Sequence, residues 1–151
     1  MDEDAGALPA SVLFACSQNV VRSPMAEALT KHLYGHRIYV DSVGVRAGEP
    51  DPFTRAVMEE IGIDVARHRP KAFGDLEDTF YDLVISLSPE AQHQAVEMTR
   101  TMACDLEYWP TLDPTAVAGS REQILDAYRA LRDSLQERII ARFGTARGPQ
   151  V

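Results

Sequence analysis

Residues 11–25 read SVLFACSQNVVRSPM. Ser11 to Ala15 form the short apolar run of a buried strand. The run ends on a thiol, Cys16, and after five intervening residues comes a guanidinium, Arg22. Ser23 and Pro24 then carry a helix-start signal, a capping hydroxyl with proline at the first helical position. Met25, Leu29 and Leu33 recur on one face of that helix. Strand, tight loop and helix in this succession predict a βα unit with a thiol where the strand meets the loop.

The same alternation continues along the chain. Ile38 to Val43 reads as a second strand. Asp51-Pro52 repeats the cap-then-proline signal, with Phe53, Val57 and Ile61 on the helix behind it and Gly62 as its stop. The span 64–79 is less periodic and is expected to be loop and short helix. Tyr81 to Leu87 is a third strand, and Ser88-Pro89 opens a third helix. Cys104 to Trp109 is a fourth strand. Ser120 with Gln123 matches a capping box ahead of a long stripe of Ile124, Tyr128, Leu131, Leu135 and Ile139. Near-continuous apolar strands alternating with helices predict an α/β fold, a parallel sheet with helices on both faces. Ligands bind beyond the carboxyl ends of such strands, and Cys16 sits at one of them.

A chain of 151 residues, 45% hydrophobic, suits one domain. Residues 11–143 carry the pattern, and residues 1–10 and 144–151 are expected to be flexible tails. The net charge of −8 argues against nucleic acid or an anionic membrane surface as partner. No apolar run is long enough to span a bilayer. Two cysteines, Cys16 and Cys104, are too few for a disulfide scaffold, and the acidic N-terminus lacks the plan of a signal peptide. A cytoplasmic protein is expected.

The loop Cys16-Ser17-Gln18-Asn19-Val20-Val21-Arg22 carries the chemistry. A loop that feeds a helix N-terminus offers several backbone N–H groups without helical partners. Curled into a cup, they can point at one oxyanion, with the helix dipole adding positive potential. Arg22 adds a planar fork for two oxygens. The same field favours a thiolate at Cys16, and the Ser23 hydroxyl can donate to that sulfur. A sulfur anion at the base of an oxyanion cup is placed for in-line attack on phosphorus. Taken singly, these residues say little: a lone cysteine ending an apolar strand is usually inert core. The joint pattern C-x5-R-S-P between strand and helix is what makes the functional reading.

The stretch VLFACSQNVVRSPMAEAL resembles the signature of the low-molecular-weight protein tyrosine phosphatases. DSVGVRAGEPDPFTRAVMEEIGIDVARHRP, DLVISLSPEA, YWPTLDP and LDAYRALRDSL resemble later segments of the same family, so the resemblance covers residues 11–143. It implies a four-stranded parallel sheet, flavodoxin-like, and a two-step phosphomonoester hydrolysis without metal or cofactor. Cys16 would form a phosphocysteine, and the amides from Ser17 through Gln18, Asn19, Val20 and Val21 to Arg22 would hold the phosphoryl oxygens. Asp113, in LDP before the last helix, would be the general acid. Asn19 tolerates the left-handed backbone of a tight cup; the resemblance implies that it braces the loop through hydrogen bonds, with Ser42 and His68 as its neighbours, while Ser23 supports the sulfur. A phosphorylated protein or a small aryl phosphate would be the substrate and inorganic phosphate the product.

The chain also departs from the family pattern. Gln18 stands where the family usually has glycine; a positive φ there would strain it. Val21 replaces a frequent second cysteine, which removes a protective neighbouring disulfide. Thr115 replaces the aromatic residue of eukaryotic members, and Val20 resembles the tyrosine-type members rather than the phosphoarginine type. The rival readings are an arsenate reductase on the same scaffold, a non-catalytic phosphate-binding module, and an FMN-binding flavodoxin-like protein. The first needs resolving cysteines near the third strand, and DLVISLSPEAQHQ has none.

Overall fold

Val12, Leu13, Phe14 and Ala15 are wholly buried, because the strand they form lies at the centre of the sheet. A computed structural model of the protein describes residues 8–77 and 80–144. β1 (Ser11–Cys16) pairs in parallel with β2 (Tyr39–Gly44) on one side and β3 (Leu83–Ser86) on the other; β3 pairs with β4 (Asp105–Tyr108). The order is β2-β1-β3-β4. The chain therefore leaves β1 towards one edge and returns to its other side. That reversal places a crevice at the carboxyl end of β1, where Cys16 ends the strand.

Successive side chains of a strand face opposite ways, and both faces of this sheet are covered. Val12, Phe14, Val40, Leu83 and Ile85 join one core cluster with α1 (Arg22–Tyr34), α2 (Pro52–Glu59) and α4 (Arg121–Phe143). Leu13, Ala15, Val43 and Val84 join a second cluster with Ala91 and Ala95 of α3 (Pro89–Thr99). The expected four-stranded parallel α/β fold is the one observed.

Three caps stand where the sequence predicts them. Asp51 accepts from the amides of Phe53 and Thr54, Ser88 from Ala91, and Ser120 with Gln123 closes a capping box. Ser23 does not cap. α1 begins at Arg22 with Val21 in the cap position and no side-chain cap bond; the Ser23 hydroxyl is taken up by the thiol instead. Ile61 also departs from expectation: α2 ends at Glu59, and Ile61 lies in the following turn, partly exposed, ahead of Gly62 at φ +81°. The predicted tails are shorter. Leu8 packs on the core and the Ala10 amide donates to Asp82 at 2.7 Å. At the other end the Tyr34 hydroxyl donates to the Gly144 carbonyl. Residues 1–7 and 145–151, the remainder of both predicted tails, lie outside the described residues.

Asp51 does two jobs, since its second oxygen accepts from the Tyr128 hydroxyl at 2.7 Å. Burial, then the hydrogen bond to Asp51 and its negative charge, push the Tyr128 phenol above its ordinary range. Its neutral form is thus the stable one in the fold. That contribution is complete below the unfolded value near 10 and falls as pH rises beyond it. Asp51→Ala should lower the unfolding free energy by about 2–3 kcal/mol in urea at pH 7, through the lost cap and the lost phenol bond. The same variant should show a smaller alkaline loss of stability than the wild type; an equal loss would detach Tyr128 from Asp51.

Candidate active site

The loop after β1 turns its carbonyl groups outward, one after another. Cys16, Ser17 and Gln18 carbonyls accept from the amides of Val45 (3.0 Å), Arg46 (3.0 Å) and Gly48 (2.9 Å). The Asn19 carbonyl accepts from His68 Nε2 at 3.0 Å, in the tautomer or charge state that carries that proton. Val20 accepts from Thr54 Oγ1 at 3.2 Å and Val21 from the Met25 amide at 3.1 Å. With six consecutive carbonyls anchored, the N–H groups from Ser17 to Arg22 are left to the inner side. Among the described residues no protein acceptor takes them. The inner side is a small cavity of about 40 Å³, walled by Cys16, Ser17, Gln18, Val20, Val21 and Arg22 and closed by Asp113 and Thr115.

Cys16 is only 2% exposed, yet it lines this cavity. Its sulfur lies at the floor of the cup, 2.9 Å from the Ser23 hydroxyl. Arg22 is buried at the wall. Its Nη1 donates to the Thr111 carbonyl at 2.9 Å and its Nη2 to Ser17 Oγ at 3.4 Å, 3.7 Å from Asp113 Oδ2. One guanidinium thus links the loop after β1 to the segment after β4. Asp113 caps a short 3-10 turn, Pro114–Ala116. Its Oδ1 accepts from the Thr115 amide (3.0 Å) and hydroxyl (2.8 Å), which fixes the carboxylate and leaves Oδ2 towards Arg22.

Asn19 is the only described non-glycine residue with positive φ, at +59°. Its carboxamide is fully used. Nδ2 donates to Ser23 Oγ and to Ser42 Oγ, both at 2.9 Å, and Oδ1 accepts from the Lys71 amide at 2.9 Å. The Ser42 hydroxyl donates to Glu27 Oε1 at 2.5 Å, and His68 Nδ1 faces the same oxygen at 3.7 Å. Ser23, Ser42 and His68 are therefore all gathered behind the cup. Glu27 was not anticipated. It lies one helical turn after Ser23, so i,i+4 spacing on α1 is the signal that could have found it. Lys71 acts through its backbone amide and Thr54 through its hydroxyl, and neither is marked by a local pattern.

Gln18 has no positive φ, so the strain considered for this departure does not arise. Its side chain rests on Gly48: a Cβ at that glycine would meet Gln18 Oε1 at 2.5 Å. Gly44 is a tighter case. A Cβ there would lie 2.5 Å from the Arg46 carbonyl oxygen and 2.7 Å from the Asn19 amide nitrogen. Both are backbone atoms, so the cup itself would have to move. Gly44→Ala should weaken inorganic phosphate binding at least about tenfold by calorimetry, whereas Gly74→Ala, whose added methyl meets nothing within 4 Å, should leave it unchanged. Equal phosphate affinity in the two variants would show that the close approach of Gly44 does not shape the cup.

The chain matches the low molecular weight phosphotyrosine protein phosphatase family over residues 11–143. It is 31% identical over 128 residues to the glutaredoxin arsenate reductase of Synechocystis sp., covering 85% of this chain and 92% of that protein. A solved arsenate reductase in the phosphate-binding state superposes with TM-score 0.68 at 29% identity, covering 88% of this chain and 95% of the other. The Erwinia amylovora tyrosine phosphatase amsI superposes with TM-score 0.71 at 20% identity, over 91% and 93% of the two chains; this likeness is one of fold.

Proposed function

The chain belongs to the low molecular weight phosphotyrosine protein phosphatase family, and on that premise we propose that it is a cysteine-dependent phosphatase that hydrolyses phosphomonoesters through a phosphocysteine. The observation that carries this reading is the shared cavity: the Cys16 sulfur, the inward amides, Arg22 and Asp113 all border one small space.

In the proposed first step the Cys16 thiolate attacks phosphorus. A P–S bond forms, the P–O bond to the leaving group breaks, and Asp113 in its acid form gives its proton to the departing oxygen. The Ser23 hydroxyl, 2.9 Å away, is within reach to donate to the sulfur. Amides of residues 17–22 and the Arg22 fork hold the equatorial oxygens, where charge is largest in the transition state. In the second step Asp113, now a carboxylate, takes a proton from water as the water oxygen attacks phosphorus and the P–S bond breaks. Inorganic phosphate leaves and the thiolate is regenerated. None of these steps calls for a metal. The described cavity wall carries no aromatic ring, and the Thr115 hydroxyl is engaged by Asp113. Stacking on a phenol is thus not a source of selectivity within the cup, although aryl phosphates, including phosphotyrosine in proteins, remain the substrates we favour.

A second reading rests on the arsenate reductase relatives. Reduction of arsenate to arsenite takes two electrons, supplied when two thiols become a disulfide. Cys104 precedes β4, whose first residue pairs level with Leu83 and so with Val12. It therefore lies at the opposite end of the sheet from Cys16, about 16 Å away along the strands, far beyond disulfide reach. Burial, then the neighbouring Asp105, also push the Cys104 thiol up. A reductase built on this chain would need its second thiol from another molecule.

Hydrolysis of p-nitrophenyl phosphate in the presence of a chelator tests the first reading. Cys16→Ser should abolish turnover, and Asp113→Asn should slow it by about two to four orders of magnitude. Full activity in Cys16→Ser would remove the phosphocysteine. Inactive wild-type protein that reduces arsenate when glutathione and glutaredoxin are added would put the reductase in its place.

A further inference from the structure

Behind the cup, on the side of α1, lies a second and larger hollow of about 530 Å³. Its polar wall is the segment from Arg67 to Lys71, and Pro24, Ala28 and Val65 supply an apolar floor. Four cationic side chains reach it: Lys31, Arg67, Arg69 and Lys71. The acids of the hollow are already engaged. Glu27 holds Lys31 at 2.6 Å and accepts from Ser42, Asp41 holds Lys71 at 2.6 Å, and Asp64 accepts from the Ala66 amide at 2.9 Å. Arg67 and Arg69 are different. Both are exposed, and among the described residues neither guanidinium has a hydrogen-bond or ion-pair partner. In a chain of net charge −8, two guanidiniums without a partner among the described residues make this hollow a local source of positive potential.

The same segment grips the cup. His68 Nε2 holds the Asn19 carbonyl, and the Lys71 amide holds the Asn19 side chain. Whatever fixes Arg67 and Arg69 also fixes the two groups between and beside them that hold Asn19. We propose that this hollow is a second anion site, for a small molecule bearing two phosphate groups, and that its occupancy braces the cup through Asn19. Each guanidinium offers a planar fork to one phosphate. The volume suits a ligand of nucleotide size, whose apolar part meets Pro24, Ala28 and Val65. The inference is independent of which reaction Cys16 performs.

Methylenediphosphonate, which resists hydrolysis, is the probe. Calorimetry should find one binding event fewer per chain in Arg67→Ala/Arg69→Ala than in the wild type. Arg22→Ala, which disables the cup, should keep the site that the double variant loses, with affinity within about threefold of wild type. In that Arg22→Ala protein the probe should shift the Asn19 side-chain amide signals in NMR spectra. Equal binding of the probe to wild type and to the double variant would overturn the site; still Asn19 signals on saturation would overturn the coupling. The double variant changes only exposed side chains, so it decides the matter even where Arg22→Ala fails to fold. Loss of turnover in Cys16→Ser is read separately and moves neither result.

Discussion

The structure of the site depends on one constraint, the left-handed backbone of Asn19. A loop of six residues between a strand and a helix can offer its amides to a single point only if its carbonyls all turn the other way. Reversing the chain within so few residues takes one residue of positive φ, which costs most side chains about 1 kcal/mol or more. Asparagine meets that cost least badly among the residues that also carry a polar side chain. Here the three bonds of its carboxamide hold it in place, to Ser23, Ser42 and Lys71. Removing that side chain would leave buried hydroxyls short of a donor, so the geometry of the cup and the polar network behind it stand together.

Arg22 is the second constraint, and it works by contact with two segments far apart in sequence. Its guanidinium meets the carbonyl of Thr111 and the carboxylate of Asp113 while lining the cup with Ser17. An anion entering the cup would compete with Asp113 for the same fork. Exchange of one anionic partner for another lets the arginine stay neutralised throughout, which avoids leaving a buried cation unpaired. The guanidinium also faces Asp113, whose own bonds to Thr115 hold it at the mouth of the cup.

The parts of this arrangement legible in sequence are those set by short-range rules. The strand, the loop spacing, the cap at Asp51 and the capping box at Ser120 follow from patterns within a few residues. Ser23-Pro24 shows how such a rule fails. The dipeptide carries the same signal as Ser88-Pro89, which does cap its helix, but the thiol seven residues earlier claims the Ser23 hydroxyl and the helix starts sooner. Lys71, Thr54 and Gly44 were not legible for a different reason. Each meets the cup across segments distant in sequence, Gly44 through the register that sets it opposite Cys16, Thr54 through the Val20 carbonyl and Lys71 through the Asn19 side chain, and such contacts are properties of the assembled fold. Ser42 and His68 entered through resemblance to a family, not through any local pattern, and the same tertiary register brings them to Asn19.

Gln18 illustrates how a departure from a family pattern is absorbed. Glycine at a loop position is needed where φ is positive or where another backbone comes close. The first condition does not fall on Gln18, since the left-handed residue is its neighbour Asn19. The glycine is needed across the groove instead, at Gly48, whose missing side chain makes room for the Gln18 carboxamide while its amide holds the Gln18 carbonyl. Side chain and space have been exchanged between two facing positions. The carbonyl still turns outward, the amides still turn inward, and the longer residue lines the wall of the cup. A substitution that looks disabling in the sequence therefore alters the wall that meets a ligand and leaves intact the backbone that would hold its phosphate.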